Sequence, residues 1–357
     1  MPTVIPFGPQ HPVLPEPLQL KLVIEDDKVL EALPSLGYVH RGLEKLAEIK
    51  DFTQTLYIVE RVCGICSFMH SMAYARAIEN VMDIKIPERA EFIRTIFAEV
   101  SRVQSHLLWL GFLADAIGFE SLFMECFKYR EKVLDFFEMT TGNRIIISAN
   151  KIGGIKKDLC EDHISMLSKL CLELKPQIKE LENVFLKNYT VKKRLVDKGI
   201  LNKEDIENLS AVGPVAKGSG VPLDLRITGY SAYKYLSFSP IVVTDCDCYG
   251  RTVVRIKEIY QSLDLILEAL RLLPKGEISI PFKGFPEGEA ISRIEQPRGE
   301  AIYYIKANGT KNLSRLKIRT PTFANIPSIL KMLPGCELAD VPVFILTIDP
   351  CISCTER

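Results

Sequence analysis

Residues 86–118 read IPERAEFIRTIFAEVSRVQSHLLWLGFLADAIG, and this stretch decides the fold class. Its apolar residues recur at the spacing of one face of an α-helix. Pro87 stands where a helix can begin, because the first turn does not use the N–H group that proline lacks. The stretch therefore predicts a long helix within the core of the protein.

Further helices are predicted after this stretch. Residues 129–142 (YREKVLDFFEMTTG) form a helical pattern that ends at Gly142, a common residue after a helix. Residues 161–189 form another, which Pro176 is expected to kink or split. Residues 250–274 give a further helix. Because the pattern is helical from about Asp51 to Tyr189, the sequence predicts a mainly α fold with a helix-bundle core.

Small β additions are predicted at two places. Residues 18–33 (LQLKLVIEDDKVLEAL) alternate apolar and polar residues around an acidic turn, which is typical of a hairpin. Residues 299–322 predict two strands joined by a turn at Asn308 and Gly309. The Gly-rich residues 211–226 predict a loop. We expect one domain over 1–357, with a β-containing lead-in at 1–50 and an α-rich core at 51–357.

Composition excludes several classes of function. The chain has 357 residues, of which 47% are hydrophobic, so it can bury a large core. It carries 45 basic and 45 acidic residues, and this balance argues against a nucleic-acid partner. The Pro-rich start lacks the layout of a signal peptide. The longest apolar stretch is interrupted by Asp115 and is too short for a membrane span, so any span is expected from another subunit.

Ten cysteines are present, and without a secretory signal they indicate reduced thiols rather than a disulfide framework. Four of them form two Cys-x-x-Cys pairs, one in RVCGICSFMH (61–70) and one in DPCISCTER (349–357). The other six are expected to be buried structural residues: Cys126, Cys160, Cys171, Cys246, Cys248 and Cys336.

Four thiolates from the two pairs can bind one metal centre. The usual outcome is a structural zinc or an iron–sulfur cluster. Structural zinc sites, however, join pairs that are close in sequence, whereas these pairs lie at opposite ends of the chain. The second pair also lies at a terminus, which frays unless other contacts hold it. The spacing therefore favours a buried functional metal and leaves a structural site with four cysteine ligands as an alternative.

The motifs carry a family resemblance. RVCGICSFMH and DPCISCTER resemble the two signature motifs of the large subunit of [NiFe] hydrogenases. GPQHP (8–12), HRGLEKL (40–46), GPVAKGSGVPLDLR (213–226) and DCDCYGRTVVRIKEIYQS (245–262) resemble the 49-kDa subunit of respiratory complex I. Both sets together are typical of the group 4, energy-converting (Ech-type) hydrogenases. Complex I subunits of this kind have lost the cysteines, so the four thiols favour the hydrogenase branch.

The resemblance implies a nickel–iron centre. Nickel would bind Cys63, Cys66, Cys351 and Cys354, and Cys66 and Cys354 would bridge to an iron that carries one CO and two cyanides. Cys351 would be the first base for the proton released from H2. The resemblance implies no iron–sulfur cluster in this chain and makes a magnesium site doubtful.

The same resemblance implies a shell of residues around the centre. His70, one helical turn after the first pair, would donate a hydrogen bond to a bridging sulfur. Arg298 in EQPRGE would lie above the open metal position and pair with Asp349. Pro321 and Thr322 in RTPTFAN would contact a cyanide. Without the motifs, each of these residues would be interpreted as a core or surface residue.

Two acidic residues complete the expectations. Glu16 in LPEPLQ corresponds to the family's first proton relay, although a glutamate in a Pro-rich segment is more often a surface residue. Glu44 in HRGLEK corresponds to a magnesium ligand of the soluble hydrogenases. We expect Glu44 to form a buried ion pair with Arg357, which stands where those enzymes have histidine.

The resemblance also implies partners. These are a small subunit with a [4Fe–4S] cluster, further ferredoxin-like and integral membrane subunits, and ferredoxin as electron partner, at the cytoplasmic face of the cell membrane. His11 and His40 would serve a subunit interface or a coupling route. Two alternatives are kept: a non-catalytic complex-I-like coupling subunit, and an interaction scaffold with a structural zinc tetrathiolate.

Overall fold

The computed structural model describes all residues from 1 to 357, and the fold is mainly α, as predicted. The helices are α1 Leu43–Ile49, α2 Phe52–Val59, α3 Ser67–Val81, α4 Glu88–Ala116, α5 Glu120–Thr141, α6 Glu161–Lys187, α7 Tyr189–Leu195, α8 Lys203–Leu209, α9 Pro214–Lys217, α10 Cys248–Leu272, α11 Pro321–Met332, α12 Val341–Thr347 and α13 Ile352–Glu356. The strands are β1 Thr3–Phe7, β2 Gln19–Glu25, β3 Lys28–Ser35, β4 Asn150–Lys151, β5 Gly154–Ile155, β6 Glu287–Gln296, β7 Gly299–Asn308 and β8 Leu313–Arg319.

Helix α4 forms the centre of the bundle and packs against α5 and α10, while α10 also packs against α6. The helix follows Pro87, as predicted, and nearly all of its side chains are buried. Helix α5 ends at Gly142, whose φ of 83° suits a residue without a side chain. Helix α6 is continuous across Pro176, so proline does not split it. None of the helices combines the length and the apolar character needed to cross a membrane.

Both predicted strand pairs are parts of three-stranded antiparallel sheets. The N-terminal hairpin β2–β3 gains β1, which lies at the edge of the sheet and therefore tolerates Pro6. The turn at Asn308 and Gly309 ends β7 as predicted, and β6 adds a third strand next to β7. The turn between β6 and β7 lies at residues 297–298, which brings Arg298 to the edge of the helical core.

Two predictions are corrected by the structure. The segment 211–226 is not entirely a loop, because it contains α9 and the start of a 3-10 helix at Leu225–Thr228. Among the six cysteines outside the pairs, Cys160 is exposed and Cys246 and Cys336 are half-buried. Each of these three lies outside the interior of a helix, where the bundle would have enclosed it.

Candidate metal centre

Both Cys-x-x-Cys pairs meet in one buried pocket. Cys66 immediately precedes α3, and Cys351 immediately precedes α13, so two helix N-termini converge there. The sulfur atoms of Cys63, Cys351 and Cys354 lie within 4.8 Å of one another, and Cys63 Sγ is 3.2 Å from Cys351 Sγ. All four cysteines are free thiols and at most 2% exposed. The structure therefore brings together the two cysteine pairs that the sequence predicts as ligands, although they are far apart along the chain.

The protonation of these thiols fits a metal site. Hydrogen bonds from Cys351, Cys354 and Cys66 hold the pKa of Cys63 well below its usual range. The hydrogen bond to Cys63 and burial raise the pKa of Cys66 well above its usual range. The pocket thus stabilises one thiolate surrounded by thiols, and a bound cation would take the place of their protons. Soft sulfur donors suit nickel, iron or zinc, so this donor set fits the centre that the sequence predicts.

His70 lies one helical turn into α3 and connects two groups of the pocket. Its Nε2 is 3.3 Å from Cys354 Sγ, and its Nδ1 is 2.7 Å from the hydroxyl of Tyr303. Burial lowers the pKa of His70 to about 4, so the ring is neutral and carries one N–H group. Burial also raises the pKa of Tyr303, so its hydroxyl stays protonated and can donate to Nδ1. In the tautomer that accepts from Tyr303, the ring proton is on Nε2 and points to the sulfur of Cys354.

Arg298 reaches the pocket from the β6–β7 turn. Its guanidinium donates to Cys66 Sγ at 3.1 Å, to Asp349 Oδ1 at 2.7 Å and to Ser105 Oγ at 3.3 Å. Arg298 and Asp349 are at most 4% exposed, and their ion pair is the one predicted from the sequence. Burial raises the pKa of Asp349, while Arg298 opposes this shift and favours the charged carboxylate. The pair therefore fixes a cation beside the sulfurs.

Thr322 and Pro321 open helix α11 beside the second cysteine pair. The hydroxyl of Thr322 accepts a hydrogen bond from the backbone N–H of Cys351 at 3.1 Å. A hydroxyl that accepts one hydrogen bond can still donate another, so Thr322 can also donate into the pocket. Its contact with a cyanide stays a prediction.

Glu16 lies beside the pocket, where it is half-buried rather than exposed. Its carboxylate accepts hydrogen bonds from the backbone N–H groups of Ile352 and Ser353, the residues that follow Cys351. Glu16 also lines a cavity of about 220 Å³ together with Cys63 and Arg298. The predicted relay residue therefore lines the same cavity as Cys63, and its role stays a prediction.

The segment 39–44 holds the C-terminal tail. Glu44 accepts a hydrogen bond from Arg357 Nε at 3.0 Å, so the two residues form the expected ion pair, but Glu44 is half-buried rather than buried. The ring Nδ1 of His40 is 2.6 Å from the carbonyl oxygen of Glu356. Arg41 donates to the carbonyl oxygens of Val62 and Ser353, one on each cysteine arm. His11, in contrast, stacks on Phe7, at a ring distance of 4.1 Å.

Sequence reasoning missed two features of this region. The first comprises Tyr303 and Ser105, the partners of His70 and Arg298. The second is a set of eight ionisable side chains next to the pocket, here named the buried ionic cluster: Glu99, Arg102, His106, Lys217, Asp224, Arg226, Glu258 and Glu295. A signal for the cluster was available, because its three members on α4 recur at helical spacing within an otherwise apolar stretch.

Comparisons with known proteins give the same family as the motifs. A model described as "Respiratory-chain NADH dehydrogenase, 49 Kd subunit" matches residues 116–284 and 281–357. A model described as "Nickel-dependent hydrogenase" matches residues 41–116, which include the first cysteine pair.

Curated relatives match over almost the whole chain. The membrane-bound hydrogenase subunit alpha of Pyrococcus furiosus is 38% identical over 99% of this chain and 87% of its own length. The carbon monoxide-induced hydrogenase of Rhodospirillum rubrum is 38% identical over 99% of both chains. A solved chain of the membrane-bound sulfane sulfur reductase, an archaeal respiratory membrane complex, is 28% identical with a TM-score of 0.96 and covers 100% of this chain and 98% of its own.

Two of these relatives are thus subunits of membrane-bound complexes. The family relationship predicted from the motifs is confirmed by two family models and by relatives that match from end to end. The chain belongs to the family that unites the 49-kDa subunit of respiratory-chain NADH dehydrogenase with the large subunits of membrane-bound nickel-dependent hydrogenases.

Proposed function

We propose that the chain is the catalytic subunit of a membrane-associated, energy-converting [NiFe] hydrogenase that interconverts H2 with protons and electrons. The observation that carries this proposal is the buried pocket of four free cysteines next to Arg298 and His70. A purely structural metal site would not need a buried guanidinium fixed beside one of its sulfurs.

Cys63 and Cys351 would hold nickel, and Cys66 and Cys354 would be shared with an iron that carries CO and cyanide. Such a nickel–iron group would supply the two-electron chemistry of H2. Arg298 would direct its N–H groups and its fixed positive charge toward this group, because Asp349 holds the guanidinium in one orientation. His70 fixes the sulfur of Cys354 through one hydrogen bond.

Protons would leave through Cys351 and Glu16. The Glu16 carboxylate binds the backbone N–H next to Cys351, which keeps an acceptor close to that sulfur. It also lines the cavity that contains Cys63, so a proton accepted from the thiol can continue toward solvent.

Electrons would leave through partners. Beyond the four ligands, this chain has no run of cysteines for an iron–sulfur relay, so a small subunit with a [4Fe–4S] cluster is expected beside the pocket. Ferredoxin would exchange electrons with that subunit, and integral membrane subunits at the cytoplasmic face would couple the reaction to ion translocation.

Metal analysis and infrared spectroscopy on the complex purified without oxygen test the proposal. We expect stoichiometric nickel, together with bands from CO and cyanide bound to iron. Cys66→Ser should abolish both signals, whereas Cys126→Ser, which changes an equally buried cysteine outside the pocket, should preserve them.

Other outcomes would favour other functions. Zinc without these bands would move the four cysteines to a structural site. Nickel with reduction of sulfane sulfur but no H2 turnover would favour a reductase, as in the matching solved complex. The absence of any bound metal would favour a non-catalytic coupling subunit.

A further inference from the structure

The buried ionic cluster defined above adjoins the metal pocket through two shared elements. Helix α4 carries His106 directly after Ser105, whose hydroxyl accepts a hydrogen bond from Arg298. Strand β6 carries Glu295 three residues before Arg298. Four of the eight members of the cluster therefore lie on the two elements that position Arg298 beside the sulfurs.

The cluster contains more carboxylates than cations. Its cations are Arg102, Lys217 and Arg226, and its carboxylates are Glu99, Asp224, Glu258 and Glu295. Each of these side chains is at most 2% exposed. Fully ionised, the cluster would hold one unbalanced negative charge in a medium of low dielectric constant, where such a charge is strongly disfavoured. One proton is therefore expected within it.

His106 does not hold this proton. Its Nε2 is 2.8 Å from Glu258 Oε2, but burial lowers the pKa of His106 to about 4, so the ring is neutral. Arg255 on α10 is a further buried cation whose charge acts on Asp349 and Glu258, whereas the charges that act on Glu295 are those of Asp224, Lys217, Arg102 and Arg226. Arg255 makes no ion pair with the carboxylates of the cluster and donates to two backbone carbonyl oxygens.

Three of the four carboxylates are held ionised by close donors. Asp224 accepts from Lys217 and Arg226 at 2.7 and 2.8 Å. Glu258 pairs with Lys217 and binds His106. Glu99 accepts from Ser262 at 2.6 Å and also from Tyr233 and the two arginines of the cluster.

Glu295 is the exception. Its Oε2 accepts one backbone N–H, from Leu225 at 3.1 Å. Its Oε1 is 3.6 Å from Lys217 Nζ, too far for a hydrogen bond, and has no other partner. The neighbouring Tyr230 hydroxyl is engaged by the backbone N–H of Glu295. Oε1 is thus the position where a proton relieves the excess charge.

We propose that Glu295 holds an exchangeable proton on Oε1, which makes the buried ionic cluster a proton store beside the metal pocket. Binding the proton forms one O–H bond and brings the cluster from one negative charge to zero, and no electron moves. Burial and the nearby Asp224 raise the pKa of Glu295 to about 8, so the proton exchanges around neutral and mildly alkaline pH. The claim that the cluster stores this proton during H2 turnover rests on the proposed function. The claim that Glu295 holds a proton does not.

Infrared titration of the whole complex tests for the proton. We expect a band of a protonated carboxyl group that shifts in D2O and disappears with a midpoint near pH 8. Glu295→Gln should remove this band. Glu289→Gln changes an exposed glutamate of the same strand and should leave it intact. A titrating band that persists in Glu295→Gln, or no titrating band in the wild-type complex, would overturn the proposal.

A second variant and a second measurement complete the test. If Glu295→Gln does not fold, Glu295→Asp should move the midpoint of the titration, and an unmoved midpoint counts against Glu295. The band is then compared under H2 and argon, while the metal-bound CO and cyanide bands report whether the centre reacts. If the CO and cyanide bands respond to H2 while the carboxyl band stays unchanged, proton storage is refuted, but the proton on Glu295 is not. Missing metal bands would refute the proposed function, and the pH titration would still decide whether Glu295 holds the proton.

Discussion

Tyr303→Phe tests the hydrogen-bond chain that orients His70. The substitution removes one hydroxyl and leaves His70 Nδ1 without its hydrogen-bond partner at 2.7 Å, in a fully buried position. An unsatisfied buried polar atom costs about 1–3 kcal/mol, which corresponds to a factor of about 5 to 150 in a binding constant. The freed Nδ1 can also take the ring proton, and then Nε2 would turn a lone pair toward Cys354. We therefore expect nickel affinity to fall about 10- to 100-fold, the range for partners of ligating groups.

Nickel retention measures this effect. The wild-type and variant complexes are dialysed against a chelator under the same oxygen-free conditions, and nickel per protein is followed over time. Tyr304→Phe is the matched control, because it removes a hydroxyl that binds Glu289 on the other face of the same strand. Equal nickel retention in wild type and Tyr303→Phe would refute the reasoning, as would an equal loss in Tyr304→Phe.

Three further substitutions probe the surroundings of the pocket. Gly299→Ala should lower H2 turnover about 100-fold. Gly299 has a φ of 125°, and a backbone atom would lie 2.7 Å from the added Cβ, so the adjacent turn would move by about 1 Å. Gly288→Ala is the control, because Gly288 has a similar φ of 112° but lies in open space, and its substitution should leave turnover unchanged. Lys217→Met should lower the free energy of unfolding, measured by denaturant titration, by about 3–5 kcal/mol, because it leaves buried carboxylates unpaired. Lys306→Met at the surface is the control and should leave the unfolding midpoint unchanged. Glu16→Gln should abolish H2 turnover with nickel content intact, and full activity would remove this carboxylate from the proton route.

The helical core was predictable because burial of one helix face leaves a direct pattern in the sequence. Pro87 and Gly142 mark ends of helices in both sequence and structure, since each has a backbone property that suits one end. The outer strands were not predictable. Strand β1 contains Pro6, and β6 carries several charged residues, so neither shows a clean alternation; each forms because a neighbouring strand offers hydrogen bonds.

The candidate site was predictable where a residue belongs to a motif. The four cysteines, His70 and Arg298 come together in the structure, as the resemblance implied. Tyr303 was missed because a tyrosine on an alternating strand is ordinarily a core residue, and only the fold reveals that its hydroxyl meets His70. Motifs thus identify groups that touch a metal, whereas their partners are set by packing between distant segments.

The buried ionic cluster raises a different question, because stability does not explain it. Well-packed apolar residues of similar volume are often as stabilising as buried ion pairs, or more so. A buried charge does, however, act strongly over short distances, since little water screens it. Helix α4 carries Ser105, a hydrogen-bond partner of Arg298, together with three members of the cluster, and strand β6 carries Glu295 three residues before Arg298. A change in charge at the sulfurs therefore changes the energy of the ionised groups of the cluster. The position of the cluster therefore suits electrostatic communication with the pocket.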